Sequence, residues 1–251
     1  MREPMTEASP SPSARAIGVV YLSYVLVSIL GFVPLRGLVR AGDAAATASN
    51  ILGHESWYLS GVSLGIVANA LYLALTALFC GLFAPVNRSI SFLAAFFGLA
   101  GCVIQLCGGV LLLAPLVLLK GMPPSSAIGV EQLRIAALLS LKLYNRTWDI
   151  SFVLFAFFDL AIGYLIFRSG FLPRVIGVLM MLGGLGAVTY LWPPLARSLS
   201  LPYTMGVGGV AELSLMLWLL VKGIDVPRWR EWAGVRASDP SPAGQSSTLA
   251  T

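Results

Sequence analysis

Apolar residues along this chain run in long blocks. They neither alternate at period two nor keep to one face of a helix. Six blocks approach or exceed the roughly 20 residues that an α-helix needs to cross about 30 Å of hydrocarbon. They cover residues 16–35, 57–83, 90–119, 145–167, 173–196 and 203–221. The pattern predicts an all-α, polytopic transmembrane helix bundle of about six spans. The third block is long enough to tilt, or to bend at Pro115. A cleaved leader is not expected at the first block, because its apolar core is longer than the usual 7–15 residues. Arg36 and Arg40 also separate it from the small residues Ala44 to Ala46.

The connections carry their own signals. Asp43 is a good N-cap for a short helix over residues 44–52. Pro123, Pro124, Ser125 and Ser126 precede a stretch in which Glu131, Arg134 and Lys142 interleave with Leu133, Ile135, Leu138, Leu139 and Leu141. That stretch is expected to lie in the interface and to feed directly into the fourth span. The joins near Pro85 to Ser89 and Arg168 to Pro173 are tight, so consecutive spans there form hairpins. The second and fourth spans open alike, with Trp57-Tyr58-Leu59-Ser60-Gly61-Val62 against Trp148-Asp149-Ile150-Ser151-Phe152-Val153, a faint sign of duplicated hairpins. Residues 13–232 form a single expected transmembrane domain. Residues 1–12 and 233–251, rich in Ser, Pro, Thr and Ala without periodicity, are expected to be disordered tails.

Composition agrees with this class. Hydrophobic residues make up 57% of the 251 positions, charged residues 11%, and mean hydropathy is +0.85. A typical soluble domain has about 25% charged residues. The net charge of +5 is scattered at the ends of apolar blocks, which reads as topology and excludes a nucleic-acid patch. With both termini placed in the cytoplasm, nine Lys and Arg fall inside and seven outside. The three cysteines, Cys80, Cys102 and Cys107, all lie in apolar stretches, against a disulfide framework. One histidine, His54, leaves no multi-imidazole metal site, and no motif calls for a cofactor.

Three stretches carry a family resemblance: residues 167–179 (FRSGFLPRVIGVL), 42–51 (GDAAATASNI) and 217–223 (LWLLVKG). In their order and spacing the chain resembles, from about Arg15 to Trp229, a bacterial and archaeal multi-pass membrane family known only as a domain of unknown function, number four-three-eight-six. The resemblance implies a helical protein of a bacterial inner membrane and brings no reaction with it. Many members carry a histidine where this chain has Phe158, followed here by Asp159.

Ionisable groups inside a bilayer are expensive and mark functional sites by default. Asn69, Gln105, Asp159 and Glu212 sit near mid-span, and no Lys, Arg or His shares their depth. They can be interhelical hydrogen-bond glue or the floor of a polar cavity for a small molecule or a proton. A second candidate group lies at the outer end: Arg146 with Asp149, an i, i+3 pair, together with His54 and Glu55. It reads as solvated charge or as an anion site. The glycine clusters at Gly183, Gly184 and Gly186 and at Gly206, Gly208 and Gly209 follow no strand, so close helix packing explains them. The leading expectation for function is a small-molecule or proton-coupled carrier. The alternatives are a structural or regulatory membrane subunit, and an intramembrane acid-base enzyme acting on a lipid or isoprenoid. The lipid bilayer is the expected partner, with a homo-oligomer compatible with so short a chain and the small-molecule ligand undefined.

Overall fold

The computed structural model describes residues 10–121 and 129–234, and within these the side chains of residues 10–13, 193 and 196–205 are not described. The regular structure of the described residues is helical. Helix α1 spans Pro10–Leu38, α2 Ala44–Gly53, α3 Glu55–Phe83, α4 Arg88–Lys120, α5 Val130–Ser169 and α6 Arg174–Val188. A 3-10 turn, Thr189–Leu191, leads into α7, Pro193–Val221, and α8, Val226–Ala233. Five of these helices are long and apolar enough to cross a membrane, and up to six if the bent pair of residues 206–221 and α8 counts as one span. Their outward faces carry apolar side chains such as Phe96, Val110 and Val117, each about two-thirds exposed. Water would not tolerate so many exposed large apolar groups, whereas lipid does.

The long helices close into a ring. Helix α1 packs on α3, α3 on α4, α4 on α5, α5 on α6, α6 on α7, and α7 returns to α1. Both ends of the described chain lie on one side, called proximal below, with the α3–α4 and α5–α6 turns. The opposite, distal side carries α2. Asp43 caps α2 as its sequence predicts, accepting from Ala46 N at 2.8 Å. Thr47 Oγ1 accepts from Arg40 N and donates to Arg40 O, and Asn50 Nδ2 donates to Leu38 O at 3.1 Å. These bonds satisfy carbonyls that the end of α1 leaves open.

The small residues let the ring close. A Cβ on Gly183 would stand 2.7 Å from Gly208 Cα, and one on Gly184 2.8 Å from Ala156 O. Both glycine clusters are therefore sites of close backbone approach, joining α6 to α7 and to α5. On α4, Gly98, Gly101 and Gly108 receive Thr76, Phe155 and Thr147. With little hydrophobic drive between helices in lipid, such packing holds the bundle. Helix α4 runs unbroken through Pro115, and the Tyr58 hydroxyl donates to Leu112 O, three residues before that proline, at 2.6 Å.

Three boundaries differ from the sequence pattern. The break between the last two spans falls at residues 189–192: α6 ends at Val188 and α7 begins at Pro193, inside the expected fifth span of residues 173–196 and ten residues before the expected sixth. The stretch over residues 131–143 and the fourth span form one 40-residue helix, α5, about 60 Å long at 1.5 Å per residue. That is twice the hydrocarbon thickness, so its distal half, packed on α2 and α4, builds the distal cap. At the N-terminus α1 reaches back to Pro10, inside the expected tail; residues 1–9 and 235–251 lie outside the described residues.

Candidate functional site

Helices α1, α3, α5 and α7 each turn polar side chains toward the centre of the ring. Asp159 lies ten residues before the proximal end of α5 and Glu212 nine before that of α7, or about 15 Å and 14 Å. The two carboxyls come within electrostatic reach of one another. Both keep accessible surface, being half-buried. Three tyrosines surround them. The Tyr21 hydroxyl is directed at the Glu212 carboxyl, while Tyr24 and Tyr72 feel the charge of both acids. The rings form a connected wall: Tyr21 to Tyr24 at 6.3 Å between centroids, Tyr24 to Tyr72 at 5.0 Å, and Tyr72 to Phe155 at 4.8 Å.

Asn69 and Gln105 do not share this layer. Asn69 precedes Tyr72 by three residues and Gln105 follows Cys102 by three, which places the pair about one helical turn, or 4.5 Å, toward the distal side. They find each other, with Asn69 Nδ2 donating to Gln105 Oε1 at 3.1 Å. The Asn69 Oδ1 atom is buried and accepts no hydrogen bond. An orphaned acceptor at this depth is costly, and a donor brought in by water or a ligand would satisfy it. The four sequence candidates thus form two stacked polar layers, acids below and amides above.

The proximal side of the acid layer is sealed. Phe79, Phe83, Ile162, Leu165, Ile166, Leu215 and Leu219 are all at most 2% exposed. Phe79 stands edge-on to Tyr21 at 6.1 Å and stacks with Phe83, which stacks in turn on Phe171 at 5.7 Å.

The distal candidates separate. Arg146 Nη1 pairs with Asp149 Oδ2 at 2.9 Å, with side chains 65% and 33% exposed. A pair this open to solvent contributes about 0.2–1 kcal/mol. Glu55 pairs instead with Lys120, at 2.6 Å, joining the start of α3 to the end of α4. His54 joins α2 to α3 and its Nδ1 lies 3.1 Å from Asn50 O. Among the described residues the ion pairs that involve these four are Arg146 with Asp149 and Glu55 with Lys120. What sequence reasoning missed was the tyrosine wall, although Tyr21, Tyr24 and Ser28 are spaced i, i+3 and i+7 on one face of α1.

This arrangement can hold a proton or a small cation. Two like charges close together at low dielectric repel, and a shared proton or bound cation relieves them. Aromatic faces beside carboxyls favour positive charge in the same way. No curated protein and no solved structure matches the chain. The family model described as Domain of unknown function (DUF4386) matches residues 16–223. An integral membrane helix bundle with that match over most of its length belongs to the DUF4386 family.

Proposed function

We propose that this protein is a small-molecule carrier of the cytoplasmic membrane, coupled to protons through Asp159 and Glu212. One observation carries the reading: two carboxyls from α5 and α7 lie within electrostatic reach of one another at mid-depth, with no Lys, Arg or His at that level among the described residues. Acids that only filled space would be replaced by apolar residues at no loss. The apolar seal beneath them supports access from the distal side first, where the amide layer of Asn69 and Gln105 continues the polar lining. The test is relaxation of an imposed pH gradient in proteoliposomes containing a pH-sensitive dye. Relative to protein-free vesicles, wild-type protein is expected to speed dissipation of the gradient when a panel of small amines, carboxylic acids and sugars is added. D159N and E212Q, eluting as folded protein, are expected to lose this. Equal dissipation by both variants would refute the coupling.

The proximal side is the cytoplasmic one in this reading, supported by the nine-to-seven Lys and Arg count and by the short proximal turns. Ser89 on the α3–α4 side and Ser49 on α2 are both exposed. In a background lacking the three native cysteines, S49C is expected to react with an impermeant maleimide on intact cells and S89C only after permeabilisation. The reverse pattern inverts the topology.

A further inference from the structure

We propose that the hollow between α8 and the start of α6 is a headgroup site for an anionic phospholipid. Helix α8 turns off the end of α7 by 99°, which lays it along the proximal membrane surface if α7 spans. It is anchored from beneath. Asp225 caps it, accepting from Arg228 N at 3.3 Å. Trp229 Nε1 donates to Leu82 O at 3.1 Å, Trp232 Nε1 to Ser169 O at 2.8 Å, and Arg228 Nη1 to Gly170 O at 2.8 Å. The indoles and the guanidinium thereby satisfy carbonyls at the ends of α3 and α5.

This anchoring leaves an open hollow of about 450 Å³. Its floor includes the buried Phe171 and Leu172, Trp218 forms one wall, and Arg174 and Arg228 approach from separate elements. Asp225 also lines it, but its Oδ2 already lies 3.4 Å from Arg228 Nε. Arg174 has no ion pair among the described residues; its guanidinium lies over the Phe167 ring at 5.8 Å. Planar guanidinium groups are suited to bidentate phosphate contacts.

Depth and charge favour a lipid as the source of that phosphate. Trp218, Trp229 and Trp232 mark the belt where indoles sit between headgroups and acyl chains. The exposed Trp218 at the hollow offers apolar surface for a chain. Among the described residues the proximal rim holds seven basic side chains, Arg15, Arg88, Arg168, Arg174, Lys222, Arg228 and Arg230, against two acidic ones, Asp225 and Glu231. An anionic leaflet is attracted to such a rim.

The test is native mass spectrometry of the full chain, released from mixed micelles of phosphatidylglycerol and phosphatidylcholine. Wild-type protein should retain phosphatidylglycerol preferentially. R174Q should lower that retention about tenfold, the loss of one charge-assisted contact. R230Q removes the same charge from α8 outside the hollow and should leave retention nearly unchanged. In wild-type protein, a photoreactive phosphatidylglycerol should crosslink to peptides from α6 and α8, which keeps the test decisive if R174Q fails to fold. Equal losses in R174Q and R230Q, crosslinks elsewhere, or displacement of the lipid by inorganic phosphate would each overturn the proposal, the last pointing to a soluble anion.

Discussion

Replacing Gly163 with leucine should unfold the bundle or strip it from the folded fraction, at a cost of about 3 kcal/mol, the upper end for overpacking. The reason is reciprocal backbone contact between α5 and α6. A Cβ on Gly163 would stand 2.7 Å from Gly177 O and 2.9 Å from Met181 N, and a Cβ on Gly177 would stand 2.6 Å from Gly163 O. Backbone atoms in two helices cannot step aside as a side-chain tip can, so the helices must part. Thermal unfolding in micelles, followed by loss of the monodisperse peak, reads the effect. G81A is the control, because nothing lies within 4 Å of its added Cβ. An alanine there favours the helix by up to about 1 kcal/mol. A G163L protein melting with wild type would show that the α5–α6 contact is not needed for stability.

The second large effect is expected at Phe79. This ring is 2% exposed and touches Tyr21, Phe83 and Phe158 beneath the acid layer. F79A opens a cavity that neighbouring rings fill only in part, which destabilises by about 3 kcal/mol. In lipid that penalty comes mainly from lost dispersion contacts, since transfer of the side chain from water contributes little between two apolar surroundings. The cavity also breaks the proximal seal, so F79A reconstituted in proteoliposomes should leak protons without added substrate. F79L fills most of the volume and should be nearly as tight as wild type. Unchanged stability and unchanged leak in F79A would mean that the seal lies elsewhere.

How much of this was legible follows from which interactions are local. Asp43 before an alanine run predicts an N-cap because the cap needs only three residues of sequence, and the 2.8 Å bond to Ala46 N is there. Arg146 and Asp149 pair because three residues bring them to one helix face. The glycine clusters were readable as packing sites, whereas their partners across the ring were not, because Gly183 and Gly208 are 25 residues apart. Depth was legible for Asp159 and Glu212 by counting residues from the ends of their spans. That both face the centre was not, since an apolar block is hydrophobic all round and carries little sign of its inward face. The tyrosines were overlooked for a related reason: Tyr21, Tyr24 and Tyr72 count as apolar in such a block, yet they line the acid layer from α1 and α3, and the Tyr21 hydroxyl is directed at Glu212. Helix α8 was signalled by Asp225 followed by Pro227, an N-cap with proline in the first turn, but its charged length fell below the hydropathy pattern.

The length of α5 turns a packing detail into a mechanical one. Thr147 lies with its side chain against Gly108 of α4, whereas Ala156 and Gly163 meet the backbone of α6 at Gly184 and Gly177, on either side of Asp159. From Thr147 the helix runs 17 residues to Val130, about 26 Å, and 12 residues to Asp159, about 18 Å. The segment that carries Asp159 is thus clamped at two points by α6, while the distal arm is free of that clamp, and the placement of the acid is insulated from what happens at the distal cap.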